Sequence, residues 1–483
     1  MSEARKPQLV SDPHNLWKGS TGLRQAKRAK AELFQTLGVR VVPDDQKVEM
    51  AIKYLDKYRK EVRSFVMAME SCVKCGLCAE NCHTYLGTGD PNNIPANRAD
   101  LIRKVYKRYF TVQGRLFGSL VGAEDLTLDM LEKWYSYFYQ CSECRRCGHV
   151  CPFGIDTCEV TFVGRQILFN LGIAPQLHTA TGKAILETGN HMGLTKPGIE
   201  DTLEFLTEEI EEQYGWPIEF PVDKPDSDIL YVPSSADFML NPDTLKGAAR
   251  FFQYVGANWT ISSKIAEAGN FGYLSDQNRV QKELVNRAIS EAVKLGCKKI
   301  VWGECGHGWR AAKMYIPTKS DYPDVDRIPI THIHDEVVEY IKAGALKLDK
   351  GRNPFSVTLH DPCNYVRACG LCDNMRIIMN AVVEDFREMH PCREQNFCCG
   401  GGSGILFDDP DMYQFRIEAS LKKAEQIRAT GAQVLCAPCS ICKAQFYPMV
   451  KEHKLGVQVK GLIDLVGRAL VFPDDQFEDD MEL

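Results

Sequence analysis

The sequence predicts an α+α/β protein: a mostly helical amino-terminal domain, then two tandem α/β lobes, the first of them degenerate. Three observations lead there. Two cysteine runs with identical gaps, Cys72 to Cys82 and Cys141 to Cys151, are separated by a long stretch of helical periodicity. The carboxy-terminal half alternates short apolar strands with helices, and does so twice, as a duplicated α/β unit does. A third cysteine group is complete only in the second of those copies.

Residues 1–60 hold few apolar anchors and several basic residues, among them Arg24, Lys27, Arg28 and Lys30. They read as an amino-terminal docking arm with some helix, although a solvated helix face accounts for the same charges. Residues 61–171 form the expected helical domain, with apolar residues at three- and four-residue steps through Ala99–Phe110 and Glu124–Gln140. Residues 172–226 read as a helical connector, with a helix over Glu200–Tyr214 and proline-rich text after Trp216. The degenerate lobe spans 227–350 and the second lobe 351–472. Ile229–Val232 and Ser356–Leu359 are their first strands, and Ile300–Trp302 and Val434–Leu435 later ones. Helices over Val280–Leu295 and Met412–Thr430 precede the later strands. The tail, 473–483, is acidic and expected to be loose.

Composition narrows the function. With 483 residues, 44% hydrophobic and 25% charged, the chain is that of an ordinary soluble protein of several domains. A net charge of −6 and the lack of a Lys/Arg block offer no face to nucleic acid. No apolar run approaches the ~18 residues of a membrane span. The opening Met-Ser-Glu-Ala-Arg-Lys has no apolar signal core. The expectation is a cytoplasmic protein that serves a membrane only by docking on a partner.

Twenty cysteines, bunched at two- and three-residue gaps in a large chain without a signal peptide, read as metal ligands rather than disulfides. Cys72-Val-Lys-Cys75-Gly-Leu-Cys78-Ala-Glu-Asn-Cys82 has gaps of two, two and three residues, and Cys141-Ser-Glu-Cys144-Arg-Arg-Cys147-Gly-His-Val-Cys151-Pro152 repeats them. Three thiolates on one tight loop cap three corners of a 4Fe–4S cubane, and the fourth points away to the other cluster. Cys72, Cys75, Cys78 and Cys151 are therefore assigned to one cubane. Cys141, Cys144, Cys147 and Cys82 are assigned to the second. Zinc pairs use two-residue gaps too, but three cysteines within seven residues fit a cubane better. A c-type haem needs histidine directly after Cys147, and His149 stands one place too late. The first run ends Cys82-His83, where proline would be usual; this departure removes no ligand.

Cys363, the run Cys398-Cys399-Gly400-Gly401-Gly402, and Cys436-Ala-Pro-Cys439 form the third group. Side chains of adjacent cysteines diverge, so the pair suits a bulky inorganic core, and Gly400 and Gly401 let the backbone approach it. Here the chain resembles the CCG-domain proteins of the heterodisulfide reductase type, over roughly residues 65–470. The resemblance implies tandem α/β CCG lobes and a noncubane 4Fe–4S cluster at which disulfides are cleaved. Its five ligands would be Cys363, Cys398, Cys399, Cys436 and Cys439. Sliding the repeat onto itself sets Ser234 opposite Cys363, Ala268-Gly269 opposite Cys398-Cys399, Cys305 opposite Cys436 and Gly308 opposite Cys439. One ligand of five survives, so the first lobe should carry no cluster.

One intact and one degenerate lobe behind a two-cluster domain resemble, within that family, the DsrK-type catalytic subunits of sulfite-reductase-associated membrane complexes. That implies electrons from a quinol through a haem b membrane subunit, among other subunits of a membrane redox complex. It also implies a trisulfide on a small sulfur-carrier protein of the DsrC type as substrate, in dissimilatory sulfur metabolism. The rival expectation is an electron-transfer subunit of a hydroxy-acid or glycerol-phosphate oxidase. Cys305 and His307, in a glycine-flanked loop, are candidates to line the substrate entrance, with His307 or His360 supplying protons. Cys369, Cys372 and Cys392, with a C-x-x-C gap at Gly370-Leu371, offer a small metal site or a redox dithiol, or else read, like Cys297 and Cys442, as buried inert thiols. No G-x-G-x-x-G within a βαβ pattern is present, so flavin or nicotinamide binding is not expected.

Overall fold

The computed structural model describes residues 23–265, 280–323, 325–408 and 410–477. Among these, the chain forms two compact units. One holds 23–183 and 397–423; the other holds 184–265, 280–396 and 424–477.

The first unit is helical. Its principal helices are Asp44–Glu61, Arg63–Ser71, Pro95–Phe110, Leu128–Tyr139 and Thr157–Asn170. Their starts obey local rules: proline opens Pro95–Phe110, and the Thr127 and Asp156 side chains accept the Met130 and Cys158 amides at the next two. Ile102, Val105, Trp134, Phe138, Ile167 and Leu168 make the buried centre where they cross.

Two expectations change here. Residues 23–60 are not held out as a docking arm, because Phe34, Leu37, Ala51 and Leu55 are buried and Arg24 and Arg28 find partners within the unit. Arg24 pairs with Glu418, and Arg28 pairs with Glu132 and lies over the Tyr135 ring at 4.8 Å. Residues 1–22 lie outside the described residues. The segment 397–423, placed by sequence in the second α/β lobe, packs with the helical unit. Arg165, wholly buried, bonds the Phe138 and Cys141 carbonyls at 2.8 Å and the Ser403 hydroxyl at 2.8 Å.

The second unit holds two parallel sheets. Strands β1 (Ile229–Val232), β2 (Trp259–Ile261), β3 (Lys299–Trp302) and β4 (Ile330–His332) run in the order β2-β1-β3-β4. Strands β5 (Val357–Leu359), β6 (Phe386–Arg387), β7 (Val434–Cys436) and β8 (Gln458–Lys460) repeat it as β6-β5-β7-β8. Strands β1, β5 and β7 are buried at every residue because both faces are covered. The chain winds opposite ways from β1 and β3, and likewise from β5 and β7. A crevice opens at the carboxyl ends of such a pair, where α/β proteins place ligands.

The duplication is in better register in space than in sequence. After β3 the chain runs Gly303-Glu304-Cys305 into the helix Gly306–Arg310. After β7 it runs Ala437-Pro438-Cys439 into Ser440–Glu452. In both loops the third residue's amide bonds the first residue's carbonyl, Cys305 to Gly303 at 2.8 Å and Cys439 to Ala437 at 2.7 Å. Cys305 therefore corresponds to Cys439, not to Cys436, whose counterpart is Trp302. Ala268-Gly269 lie outside the described residues.

The tail is not loose as far as Phe477. Asp475 receives Arg250 at 3.0 Å, Arg352 at 2.7 Å and the Trp216 indole at 3.0 Å, with Arg250 only 1% exposed. Burial alone would raise the Asp475 carboxyl, but the two arginines outweigh it and hold it low. Its stabilisation is therefore complete above the ordinary carboxylate range and is lost as pH falls through the lowered value. Asp475→Asn, which leaves Arg250 buried without its anion, is expected to cost about 3–5 kcal/mol at neutral pH. Thermal unfolding measures it: a large drop in midpoint at pH 7 that shrinks in acid. An unchanged midpoint at pH 7 would show that the clamp carries no stability.

Candidate metal centres

Cys72, Cys75, Cys78 and Cys151 line one shallow hollow, together with Val73, Leu77, Phe153 and Cys147. Cys75 is exposed, while Cys72, Cys78 and Cys151 are half-buried. Burial, and then the thiols of Cys147, Cys82 and Cys72 nearby, push Cys78 up to about 11 against a backbone hydrogen bond from Ala96. Thiols this crowded resist ionising together, and a bound cation reverses that preference. The donor set thus suits an iron–sulfur cluster.

Cys82, Cys141 and Cys147 are buried, and Cys144 is half-buried. Arg98, only 4% exposed, bonds the Asn93 carbonyl at 3.1 Å and its side-chain oxygen at 2.8 Å. Cys82 points its thiol at that same carbonyl, at 3.4 Å. Burial opposes the Arg98 charge, but Cys141, Cys82 and Cys147, ionised, favour it. A fixed cation facing these thiols suits an anionic cluster. Cys158, buried at the start of Thr157–Asn170, hydrogen-bonds Cys141 and Cys147 and draws both thiols down. It stands outside both cysteine runs, and only the fold brings it to them.

The five cysteines of the third group divide between the units. Cys398 and Cys399 lie in the first, 1% and 2% exposed. Gly400, at φ +97°, turns the chain so that its amide bonds the Cys398 sulfur at 3.4 Å, a conformation a side chain would strain. Within that unit, a His83 ring nitrogen, the Cys144 sulfur and the Cys398 sulfur lie within 4.8 Å of one another. His83 is 2% exposed, with Nδ1 2.9 Å from the Ala419 carbonyl and Nε2 2.7 Å from the Ser142 hydroxyl. Burial opposes its charge, yet Cys398 and the Ala419 carbonyl outweigh it and raise the imidazole. The sequence marked His83 only as a missing proline.

Cys363, Cys436 and Cys439 lie in the second unit, at the carboxyl ends of β5 and β7. Cys363 begins the helix Cys363–Cys369. The loop before it is pinned through Asp361, which accepts both Arg376 Nη atoms at 2.8 and 2.9 Å and the Arg393 amide at 2.6 Å. Cys436 is buried, and that burial, then Glu304 and Asp464, push its thiol well up. Cys439 is drawn down to about 7, first by the Cys442 thiol and then by the amides of Cys442, Gly306 and Ile441. A thiol so placed at a helix start is a ready ligand.

The Gly306 amide bonds the Cys439 sulfur at 3.3 Å, so the loop carrying Cys305 and His307 reaches the third cysteine group. Cys305 itself is buried as the N-cap of its helix, and His307 is half-buried. His360 is 1% exposed, packed edge-on against Phe446 at 4.9 Å. Cys372 donates to Glu394 at 3.2 Å, and burial with that carboxylate pushes it up to about 12, so it stays a thiol. Sequence reasoning missed the buried charges behind Cys436. Glu304 bonds His334 at 2.8 Å and the Ile463 amide at 3.0 Å, and Lys443 faces Asp464, Asp237 and Glu304. They are dispersed over the chain and follow no motif.

Comparison with known proteins agrees with this chemistry. Residues 68–155 match the 4Fe-4S dicluster domain, and residues 357–447 match the cysteine-rich CCG domain. Together with the two sheets they define an iron–sulfur oxidoreductase subunit. The chain is 34% identical over 473 residues to Hdr-like menaquinol oxidoreductase iron–sulfur subunit 2 of Archaeoglobus fulgidus, covering 89% of this chain and 84% of that protein. It belongs to the family of Hdr-like iron–sulfur oxidoreductase subunits. It is also 25% identical over 419 residues to a subunit of the dihydromethanophenazine:CoB–CoM heterodisulfide reductase of Methanosarcina mazei, over 84% of this chain and 95% of that one. The glycolate oxidase iron–sulfur subunit of Escherichia coli is 22% identical over 384 residues, 73% of this chain and 86% of that one. Among the described residues no helix is long and apolar enough to cross a membrane.

Proposed function

We propose that this chain is the disulfide- or trisulfide-reducing subunit of a quinol-linked membrane complex. Cys72, Cys75, Cys78 and Cys151 would hold one cubane, and Cys141, Cys144, Cys147 and Cys82 the second. Cys363, Cys398, Cys399, Cys436 and Cys439 would hold a noncubane 4Fe–4S cluster. The reading is carried by one observation: the second cysteine run meets the Cys-Cys pair, the Cys144 sulfur lying within 4.8 Å of that of Cys398. Electrons entering near Val73, Leu77 and Phe153, all exposed beside the first run, would pass through the second run to Cys398.

Splitting one S–S bond takes two electrons and two protons and yields two thiols. When bound, the third cluster supplies an iron-rich face that holds sulfur between the arrivals of the two electrons. Gly400 and Gly401, without side chains, would let the backbone approach it beside Cys398 and Cys399. His307, half-buried in the loop that reaches Cys439, is the proton donor in this reading. His360, buried and edge-on to Phe446 beside the strand end that leads to Cys363, is the alternative donor.

The partners are a haem b membrane subunit with other subunits of the complex, and a DsrC-type sulfur carrier as substrate. The chain would sit on the inner face of the membrane through the former. Names among its relatives, a menaquinol oxidoreductase and a heterodisulfide reductase, support a quinol-side donor and a disulfide acceptor. The likeness to a glycolate oxidase subunit favours a second reading, electron transfer from a flavoprotein oxidase. Co-purification of a haem b protein or of a flavoprotein separates the two.

Anaerobic EPR of the oxidised chain, with and without the reduced thiol carrier, tests the catalytic reading. Oxidised cubanes are silent, so a signal appearing only with thiol is expected from the third cluster. Iron sufficient only for two cubanes, with no thiol-dependent signal, would make the chain an electron relay.

A further inference from the structure

We propose that His83 is the positioning residue that couples the second cubane to the third cluster, its imidazole holding the Cys144 and Cys398 regions in register. The inference rests on the functional reading above. His83 interrupts the first cysteine run directly after the ligand Cys82, and is buried rather than turned to solvent. Its Nδ1 faces the Ala419 carbonyl at 2.9 Å and so carries the ring proton. The Ser142 hydroxyl, one residue from Cys141 and two from Cys144, meets Nε2 at 2.7 Å.

From the end of the first run, one ring thus bonds two other stretches of chain: the second run and the segment that follows the Cys-Cys pair. The backbone is built for the contact. A Cβ on Gly87 would stand 2.0 Å from the Glu418 carbonyl, so the helix His83–Thr88 lies directly on the backbone of Tyr413–Ala419. Both sulfurs and a ring nitrogen fall within 4.8 Å.

The step it serves is a one-electron exchange. A cubane held by Cys82, Cys141, Cys144 and Cys147 would give up one electron and a cluster held at Cys398 and Cys399 would take it. Quinol-derived electrons would refill the former. Transfer slows steeply as the gap between centres widens, and hydrogen bonding around cluster sulfurs sets their potentials. A ring fixed at both nitrogens holds both quantities; a flexible apolar side chain holds neither.

The test uses the full chain with its clusters, reduced by a photochemical donor and sampled by rapid-freeze EPR. His83→Leu is expected to keep wild-type iron and yet slow reduction of the third cluster by roughly 10–100-fold, the scale on which groups bonded to metal ligands act. His83→Gln, which restores a polar contact, should recover most of the rate. Equal rates in His83→Leu and wild type would overturn the inference and leave the functional reading standing. Iron loss from both variants would also overturn it, making His83 a structural cap. A wild-type chain with no third-cluster signal would instead remove the functional reading, and this inference with it.

Discussion

Cys398→Ser is expected to abolish the thiol-dependent EPR signal and to reduce disulfide turnover to background. The proposed ligands would take iron from about twelve to about eight atoms per chain, because a serine hydroxyl does not ionise as a thiolate does. The side chain is 1% exposed and bonded by the Gly400 amide, so the replacement makes little change in volume and removes one sulfur donor. Both cubane signals should still appear on reduction with dithionite, since Cys398 is not among their ligands. Cys297→Ser, remote from every cysteine group in sequence and buried as an ordinary thiol, serves as the control and should keep all three signals. A thiol-dependent signal that survives Cys398→Ser would remove this residue from the ligand set.

Arg98→Met should lower the potential of the second cubane. The guanidinium is buried, held by Asn93 and faces Cys82, Cys141 and Cys147. A reduced cluster carries one more negative charge than an oxidised one, so a nearby fixed cation favours reduction. At a separation on the order of 8 Å and an effective dielectric of 20, one charge is worth about 2 kcal/mol. For a one-electron couple that is roughly 90 mV. Methionine keeps much of the arginine stem's volume and removes the charge together with both bonds to Asn93. Redox titration followed by EPR should show the second cubane shifted downward and the first, at Cys72, Cys75, Cys78 and Cys151, shifted less. Equal shifts at both would mean the substitution disturbs the fold and not the local field.

Much of this molecule was legible in advance, for a specific reason. The 4Fe-4S dicluster match over residues 68–155 was legible because its cysteines recur at gaps of two and three, a pattern written within eleven consecutive residues. Strands β1, β3, β5 and β7 were legible because a strand covered on both faces is rich in apolar residues, with only Lys299 and Thr358 breaking the pattern. Strands β2, β4, β6 and β8 were not. They are two or three residues long, and Gln458–Lys460 and Phe386–Arg387 carry polar residues to half-covered edges. Alignment of the repeat slipped because it followed cysteine spacing, whereas the loops after β3 and β7 put Cys305 opposite Cys439.

The sequence by itself determined the kind of chemistry: eight cysteines in two identical runs, a third group with an adjacent pair, and parallel strands delivering Cys363, Cys436 and Cys439 to their carboxyl ends. Only the tertiary structure decided the surroundings. It placed Arg98 and Cys158 on the second run, Arg165 on the Ser403 turn, and His83 beside Cys144 and Cys398. It also folded Asp475 of the tail onto Arg250 and Arg352. Ligand spacing is local and must be spelled out along the chain. A buried cation, a bonded imidazole or an ion-pair clamp joins residues as far apart as His83 and Ala419, and no pattern in the intervening residues has to record it.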